Sequence, residues 1–289
     1  MYEIILKYKI EDVDAAIEKL QLVNIYNVFY EAPIAITTTE YGYGCYEKKN
    51  EIVDLKIIVE SDEEEELHRH VAIIKEYLKV DDIQIKKLEN LQFETFFDPI
   101  DLNNGWLIAD PSYNKEGKNK INFVSQGAFG TGLHETTQDC LRLILNENFK
   151  DKNVLDIGTG SGILSIAAAI KGSERVTALD LRDVHYEVEF NSSLNQLNNI
   201  EVAVGDALTG EVKLDEVYDY IFINIGGEET LSFIDYINSH IEENGKLLVS
   251  GLVEWSFEDV VNEILKYGYK IDEKKQTNEW CSVFLSKYM

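Results

Sequence analysis

Cysteine and cationic side chains are both scarce in this chain, and each scarcity excludes something. Three cysteines among 289 residues, Cys45, Cys140 and Cys281, form no C-x-x-C pair and are odd in number. A disulfide framework and a structural zinc site are therefore not supported, which fits a reducing compartment. Lysine and arginine total 27 against 53 aspartates and glutamates, a formal charge of −26. A surface of that sign repels phosphate backbones, so direct nucleic-acid binding is not expected; a basic partner suits it better. No apolar run approaches roughly 18 residues, so no membrane span is expected. Residues 1–7 show no basic segment leading into an apolar one, so no signal peptide is expected and the cytoplasm is the expected location. His68 and His70 stand two apart on a helical stretch and do not share a face, so no metal site is expected from them. No serine, histidine and aspartate arrangement suggests a catalytic triad.

What is abundant is core material. Apolar residues make up 45% and aromatics 11%, which excludes disorder for the bulk of the chain, and the length suggests two domains. Both halves are acidic. The one low-complexity patch, Asp62-Glu63-Glu64-Glu65-Glu66, is read as a solvated helix start, where carboxylates face the positive end of the helix dipole.

The first ninety residues read strand, helix, strands, helix, strand. β-formers fill 2–8, 23–30, 34–39, 51–60 and 82–88, while helical spacing joins Val13, Ala16, Ile17 and Leu20, and again Leu67, Val71, Ile74 and Leu78. That order suits a small ferredoxin-like α+β domain over 1–90. Residues 91–120 hold Pro99, Pro111 and turn clusters such as Asn103-Asn104-Gly105 and read as a linker. Over 121–289 strands (154–157, 175–180, 200–204, 218–224, 246–250) alternate with helices (163–170, 184–197, 228–241, 257–267). Continuous apolar strands separated by helices predict an α/β domain, a doubly wound parallel sheet covered on both faces. Two closing strands, 269–275 and 280–286, predict a terminal hairpin.

The chemistry concentrates in two stretches. Val154-Leu155-Asp156-Ile157-Gly158-Thr159-Gly160-Ser161-Gly162 is an apolar strand, a glycine turn and a helix start. Glycines there permit a sharp turn and a close backbone approach to a ligand. Asp180 ends the next strand, where a carboxylate can accept both hydroxyls of a ribose, so a nucleoside-containing ligand is expected. The dinucleotide fingerprint G-x-G-x-x-G fails, because its third glycine position is Ile163. G-x-G-x-G preceded by Asp156 is the pattern of S-adenosyl-L-methionine binding, and Asp206, in Gly205-Asp206-Ala207 after the third strand, falls where an adenine contact is expected. A tight turn in some other doubly wound protein is the alternative.

The second stretch is Gly127-Ala128-Phe129-Gly130-Thr131-Gly132-Leu133-His134-Glu135-Thr136-Thr137, with three glycines close together. Read alone, Thr136 and Asp139 make a capping pair for a helix running to about Phe149, and His134 is surface loop.

Taken together, A-F-G-T-G-x-H-x-T-T and L-D-I-G-T-G-S-G-I-L resemble the PrmA family, the methyltransferases of ribosomal large-subunit protein eleven. Asn224-Ile225, Ser250-Gly251 and Glu279-Trp280 are further matches. The resemblance is strong over roughly 121–287 and architectural over 1–90. It implies a seven-strand class I S-adenosylmethionine-dependent (Rossmann-like) methyltransferase domain behind a substrate-recognition domain. It also implies methyl transfer to lysine side chains and an N-terminal amine of a ribosomal protein. Thr137, Gly158, Gly160, Gly162, Asp180, Asp206 and Asn224 are then expected to contact the cofactor, with Phe129 and Thr131 folding over its methionine end. Asn224 is the expected catalytic residue, holding the amine through its side-chain carbonyl or contacting only the cofactor. Three departures bear on substrate identity: Gly226-Gly227-Glu228-Glu229 where the family has leucine and small apolar residues, Arg182-Asp183 after Asp180, and Phe93 to Phe97 where tryptophans are common. A methyltransferase for another protein or a small amine, and a cofactor-binding homologue without transfer, are the alternatives. Base methylation fits poorly, since Asn224-Ile225-Gly226-Gly227 lacks the N-P-P-Y pattern.

Overall fold

Period-two alternation decides the N-terminal sheet. In β1 (Tyr2–Lys9) Tyr2, Ile4 and Leu6 are buried, and in β5 (Ile52–Val59) Val53, Leu55, Ile57 and Val59 are. These side chains share one face and need an apolar cover. Helix α1 (Val13–Gln21) supplies it through Val13, Ala16 and Leu20, and α2 (Glu64–Leu78) through Leu67, Ile74 and Leu78. Glu64, Glu65 and Glu66 occupy the first turn of α2, as expected. With β2 (Val28–Phe29) and β6 (Gln84–Lys87) the sheet runs β2-β5-β1-β6, every neighbouring pair antiparallel. This is the ferredoxin-like order.

The computed structural model describes residues 1–23, 25–59, 61, 63–88, 98–125, 130 and 132–288. The chain forms two compact units, Met1–Thr39 with Tyr43–Glu94, and Glu40–Gly42 with Thr95–Met289. In the first unit the strand expected over 23–30 shrinks to two residues. The one expected over 34–39 leaves the main sheet: β3 (Ile34–Thr38) pairs with β4 (Tyr43–Glu47), a strand that the glycines of this stretch concealed. Pro33, which has no N–H to donate, separates β2 from this hairpin.

In the second unit residues 98–120 are no bare linker. They carry β7 (Ile100–Asp101), β8 (Trp106–Ala109) and the start of β9 (Asn119–Asn122), a small sheet of order β7-β8-β9. Leu102, Ile108, Ile121 and Phe123 are fully buried in the same core as α3 (Glu135–Asn146) and α4 (Ile163–Ile170). Pro111 stands in the exposed turn between β8 and β9, so it marks a connection within this sheet and not a free tether.

The main sheet is built from β10 (Asn153–Ile157), β11 (Arg175–Asp180), β12 (Ile200–Val204), β13 (Tyr218–Asn224), β14 (Ile241–Val253), β15 (Tyr269–Thr277) and β16 (Trp280–Lys287). Its order is β12-β11-β10-β13-β14-β16-β15; the first five are parallel, and β16 and β15 close the edge as the expected antiparallel hairpin. Alternation again explains the layers. Val154, Tyr220, Phe222 and Leu248 face α3 and α4, whereas Leu155, Ile221, Ile223, Leu247 and Val249 face α6 (Gly227–His240) and α7 (Glu254–Leu265). Both faces are covered, which is why these strands read as unbroken apolar runs. Each such burial contributes roughly 1.5–3 kcal/mol.

Helix α5 (His185–Leu194) and the residue after it do something the sequence did not announce. Asn195 Oδ1 accepts from the Asn122 amide at 2.9 Å and its Nδ2 donates to the Asn122 carbonyl at 2.7 Å. Asn191, 1% exposed, repeats the pattern on Val124 at 2.9 and 3.2 Å. Two side-chain amides thus stand in for a neighbouring strand and fix the segment that leads into the second glycine stretch.

Candidate active site

Strand order places the site. Successive connections leave β10 in opposite directions, toward β11 and β12 on one side and β13 and β14 on the other. The crevice at the carboxyl ends of β10 and β13 is the switch point where open parallel sheets bind ligands. The register puts Ile157 beside both Leu179 and Ile223, so Gly158, Asp180 and Asn224 emerge at one sheet edge.

Gly158, Gly160 and Gly162 have φ of +70°, +56° and +77°, a region that disfavours side chains. The Gly158 and Thr159 amides both donate to the Leu179 carbonyl, at 2.8 and 3.0 Å. Asp180 then locks the turn: Oδ2 accepts from the Gly160 amide at 2.9 Å and Oδ1 from the Arg182 amide at 3.0 Å. Its side chain is 12% exposed, and each carboxylate oxygen retains acceptor capacity for a further donor.

Beneath the turn Asp156 is 1% exposed and its Oδ2 accepts from Thr159 Oγ1 and Ser165 Oγ, both at 2.7 Å. Burial pushes its carboxyl above the usual range; the hydroxyl bonds pull it back in part, and the Asp180 charge adds to the rise. A carboxyl raised in the folded state contributes most below its unfolded pKa of about 3.9 and loses that contribution as pH rises through the folded value. Asp156→Asn, neutral and still able to accept both hydroxyls, is therefore expected to melt above the parent at pH 8. The gap should close toward pH 4. Each kcal/mol gained moves Tm by about 2–4 °C. Thermal unfolding at pH 4, 6 and 8 checks this, and a variant that melts lower at every pH would contradict it.

The loop before the sheet meets this turn. Ser161 Oγ donates to the Gly130 carbonyl at 2.8 Å, and Gln138 Nε2 to the Gly132 carbonyl at 3.0 Å. Gln138 is itself held by Arg142, whose Nη2 donates to Gln138 Oε1 at 3.0 Å and whose Nε reaches the Leu102 carbonyl at 3.0 Å. The cap of α3 differs from expectation. His134 is the N-cap: its Nδ1 accepts from the Thr136 amide at 3.3 Å and lies 2.8 Å from Thr136 Oγ1. Thr136 sits inside the first turn, and Asp139 pairs with Arg142 at 2.6 Å instead of closing a capping box. The His134 ring also packs edge-on against Trp280, 4.8 Å between centroids. Histidine is not a favoured cap, so sequence alone gave no signal for it.

The remaining expected residues divide. Thr137, 1% exposed on the first turn of α3, has a buried hydroxyl with no hydrogen-bond partner among the described residues; Asn224, ending β13 beside Ser250, has a buried Oδ1 in the same condition. Asp206 is occupied in its own turn, Oδ1 accepting from the Leu208 amide at 2.8 Å and the Thr209 amide at 3.3 Å. Phe129 and Thr131 lie outside the described residues. Eight other buried side-chain polar atoms among the described residues share that condition, so what singles out Asn224 is its place at the carboxyl end of β13, at the switch point of the sheet.

Sheet order, glycine turn and the acid that ends β11 define a seven-strand class I methyltransferase fold. The chain belongs to the ribosomal protein L11 methyltransferase (PrmA) family, whose model matches residues 2–288. It is 32% identical over 201 residues to a ribosomal protein L11 methyltransferase of Caldicellulosiruptor saccharolyticus, a match taking in 68% of this chain and 65% of that protein. A counterpart from Macrococcus caseolyticus is 37% identical over 60% of this chain and 55% of its own length. The chain thus spans under two thirds of these relatives. Among solved structures, a ribosomal protein L11 methylase from Lactobacillus delbrueckii subsp. bulgaricus superposes with a TM-score of 0.60 at 29% identity, covering 67% of this chain and 100% of that one.

Proposed function

We propose that this protein transfers methyl groups from S-adenosyl-L-methionine to amine nitrogens, on lysine side chains and an N-terminal amine, of a ribosomal large-subunit protein akin to L11. The observation that carries the reading is the orphaned Asn224 Oδ1 at the switch point, a neutral acceptor beside a glycine turn braced by Asp180. The residues fit the cofactor: Asp180, with acceptor capacity to spare, would take its ribose hydroxyls, the Gly158 to Gly162 backbone would admit it closely, and the unpartnered Thr137 hydroxyl would serve its methionine end, while Asp206, its Oδ1 engaged by two backbone amides, would flank the adenine. When bound, that group supplies an electrophilic methyl on a cationic sulfur.

The chain's own work is positioning. A free lysine, pKa about 10.4, has no lone pair at neutral pH. Burial beside a like charge lowers that value, so the amine sheds its proton to water on entering. Asn224 Oδ1 then accepts one remaining N–H and aims the nitrogen's lone pair along the line of displacement, where alignment is the main resource. Transfer would form one N–C bond and break one C–S bond, its pair staying on sulfur, the amine's proton having already gone to water.

The first unit, Met1–Thr39 with Tyr43–Glu94, is assigned to substrate capture and the second, which carries the glycine turn, to chemistry. Ile34 and Ile36, 57% and 76% exposed on β3, are side chains that a protein partner would cover. The charge of −26 suits a basic substrate, and a ribosomal substrate places the reaction in the cytoplasm. Among the described residues no helix is long and apolar enough to cross a membrane.

Incubation with methyl-labelled cofactor and undermethylated large-subunit ribosomal proteins tests this. One labelled basic band is expected, its label in methylated lysine and at the N-terminus. Label appearing only in a small product, or none at all, would overturn the reading.

A further inference from the structure

The turn after Asn224 carries one of the three departures noted in the sequence, Gly226-Gly227-Glu228-Glu229. Gly226 has φ of +137°, and a Cβ there would stand 2.6 Å from Glu229 Oε2. Gly227 is buried, and a Cβ on it would stand 2.9 Å from Val260 Cγ2. The Gly226 carbonyl accepts from the amide and hydroxyl of Thr230, at 3.1 and 2.5 Å, so α6 begins at once and carries Glu228 and Glu229 in its first turn. The φ of Gly226 disfavours any side chain there, one on Gly227 would crowd Val260, and the Glu229 carboxylate lies in the space beside Gly226. That carboxylate therefore rests on the backbone two residues past Asn224, whose own Oδ1 is buried without a partner. On the other side of the turn Ile225 covers the glycine loop, its Cγ2 lying 2.6 Å from where a Gly158 Cβ would be.

We infer that Glu229 is a specificity-determining residue of the acceptor side, drawing a cationic ammonium side chain of the substrate to the Asn224 turn; the inference rests on the function proposed above. The two groups divide the work by solvation. Glu229 is exposed, so it acts on the ammonium while that group is still charged and hydrated, where a lone carboxylate improves capture and discriminates against neutral acceptors. The buried, uncharged Asn224 Oδ1 suits the amine after its proton has gone to water. A carboxylate buried at Asn224's position would hold the proton on, whereas one at the rim releases the substrate to the neutral acceptor. Gly226 permits this: its φ of +137° lets α6 begin at Gly227, which brings the Glu229 carboxylate back beside the turn.

The test uses the full-length protein, methyl-labelled cofactor and a lysine-containing peptide of net positive charge. Glu229→Gln is expected to raise the KM for the peptide about three- to tenfold, leaving kcat within about twofold and the cofactor KM unchanged. Its peptide KM should also vary less with salt than the parent's, a readout that a merely structural role would not move. Glu243→Gln, removing an equal charge from the opposite end of β14, should change none of these. Glu229→Asp, which keeps the charge, should recover part of the lost KM. An unchanged peptide KM in Glu229→Gln, or a fall in kcat without one in affinity, overturns the inference while leaving the proposed function intact. A parent protein that labels no amine at all overturns both.

Discussion

Asp180→Ala is expected to lose at least about 100-fold in affinity for S-adenosylmethionine while its far-ultraviolet circular dichroism stays that of the parent. Two losses combine. The first is the acceptor for a ribose diol, where hydrogen bonds to a charged group contribute roughly 1.5–3 kcal/mol. The second is the brace: Oδ2 and Oδ1 hold the Gly160 and Arg182 amides at 2.9 and 3.0 Å, so alanine leaves two backbone donors unpaired just where the cofactor should lie. Asp180→Asn separates the two. Its single carbonyl oxygen can still hold one amide, but its amide nitrogen faces the other donor and cannot accept a hydroxyl. Asn is therefore expected to bind better than Ala and well below the parent. Calorimetric titration with the cofactor measures all three, and undiminished affinity in either variant would refute the ribose assignment. Helix and strand content is not at stake, because Asp180 ends β11 and its side chain makes no contact on which the core depends.

How far such residues could be found beforehand depended on what kind of physics placed them. Asp180 and Gly158 were legible because their positions follow from chain order: a glycine turn after the first parallel strand, an acid at the end of the second. The doubly wound sheet was legible for the same reason that its two faces are covered, since Val154 and Leu155 are apolar neighbours bound for opposite layers. The stretch 98–120 misled because proline, asparagine and glycine report a turn and say nothing of whether its flanks are packed; Leu102 and Ile108 were there to be weighed and are fully buried. The β3–β4 hairpin was hidden by glycine at one of its strand positions, Gly44, where pairing and not propensity makes the strand. His134 displaced Thr136 as the cap of α3, and Asn191 and Asn195 mimic a strand edge, through tertiary contacts that no local pattern encodes. The orphaned oxygens of Thr137 and Asn224 are the extreme case. An unmade hydrogen bond is a property of the folded neighbourhood alone.

Asn224 is where that property bears on rate. Replacing it with alanine is expected to lower kcat by about 100- to 1,000-fold, the range seen when one aligned polar group is removed from a reacting centre, with cofactor affinity within about threefold of the parent. The asymmetry follows from what the side chain touches. Its Oδ1 has no partner among the described residues, so truncation breaks no hydrogen bond there and relieves a buried acceptor, and stability should not fall for that reason. What alanine removes is the group that holds an uncharged amine in line, and a misplaced lone pair costs rate without costing binding. Asn224→Asp sharpens the point. It restores an acceptor of nearly the same shape but adds a charge that favours the ammonium over the amine, so it should recover little of the lost rate at neutral pH and more as the pH is raised toward that of a free amine. Stopped-time labelling for kcat and calorimetry for cofactor binding distinguish the outcomes: equal losses in both would leave Asn224 a cofactor contact, whereas a rate loss alone makes it the residue that orders the reacting nitrogen.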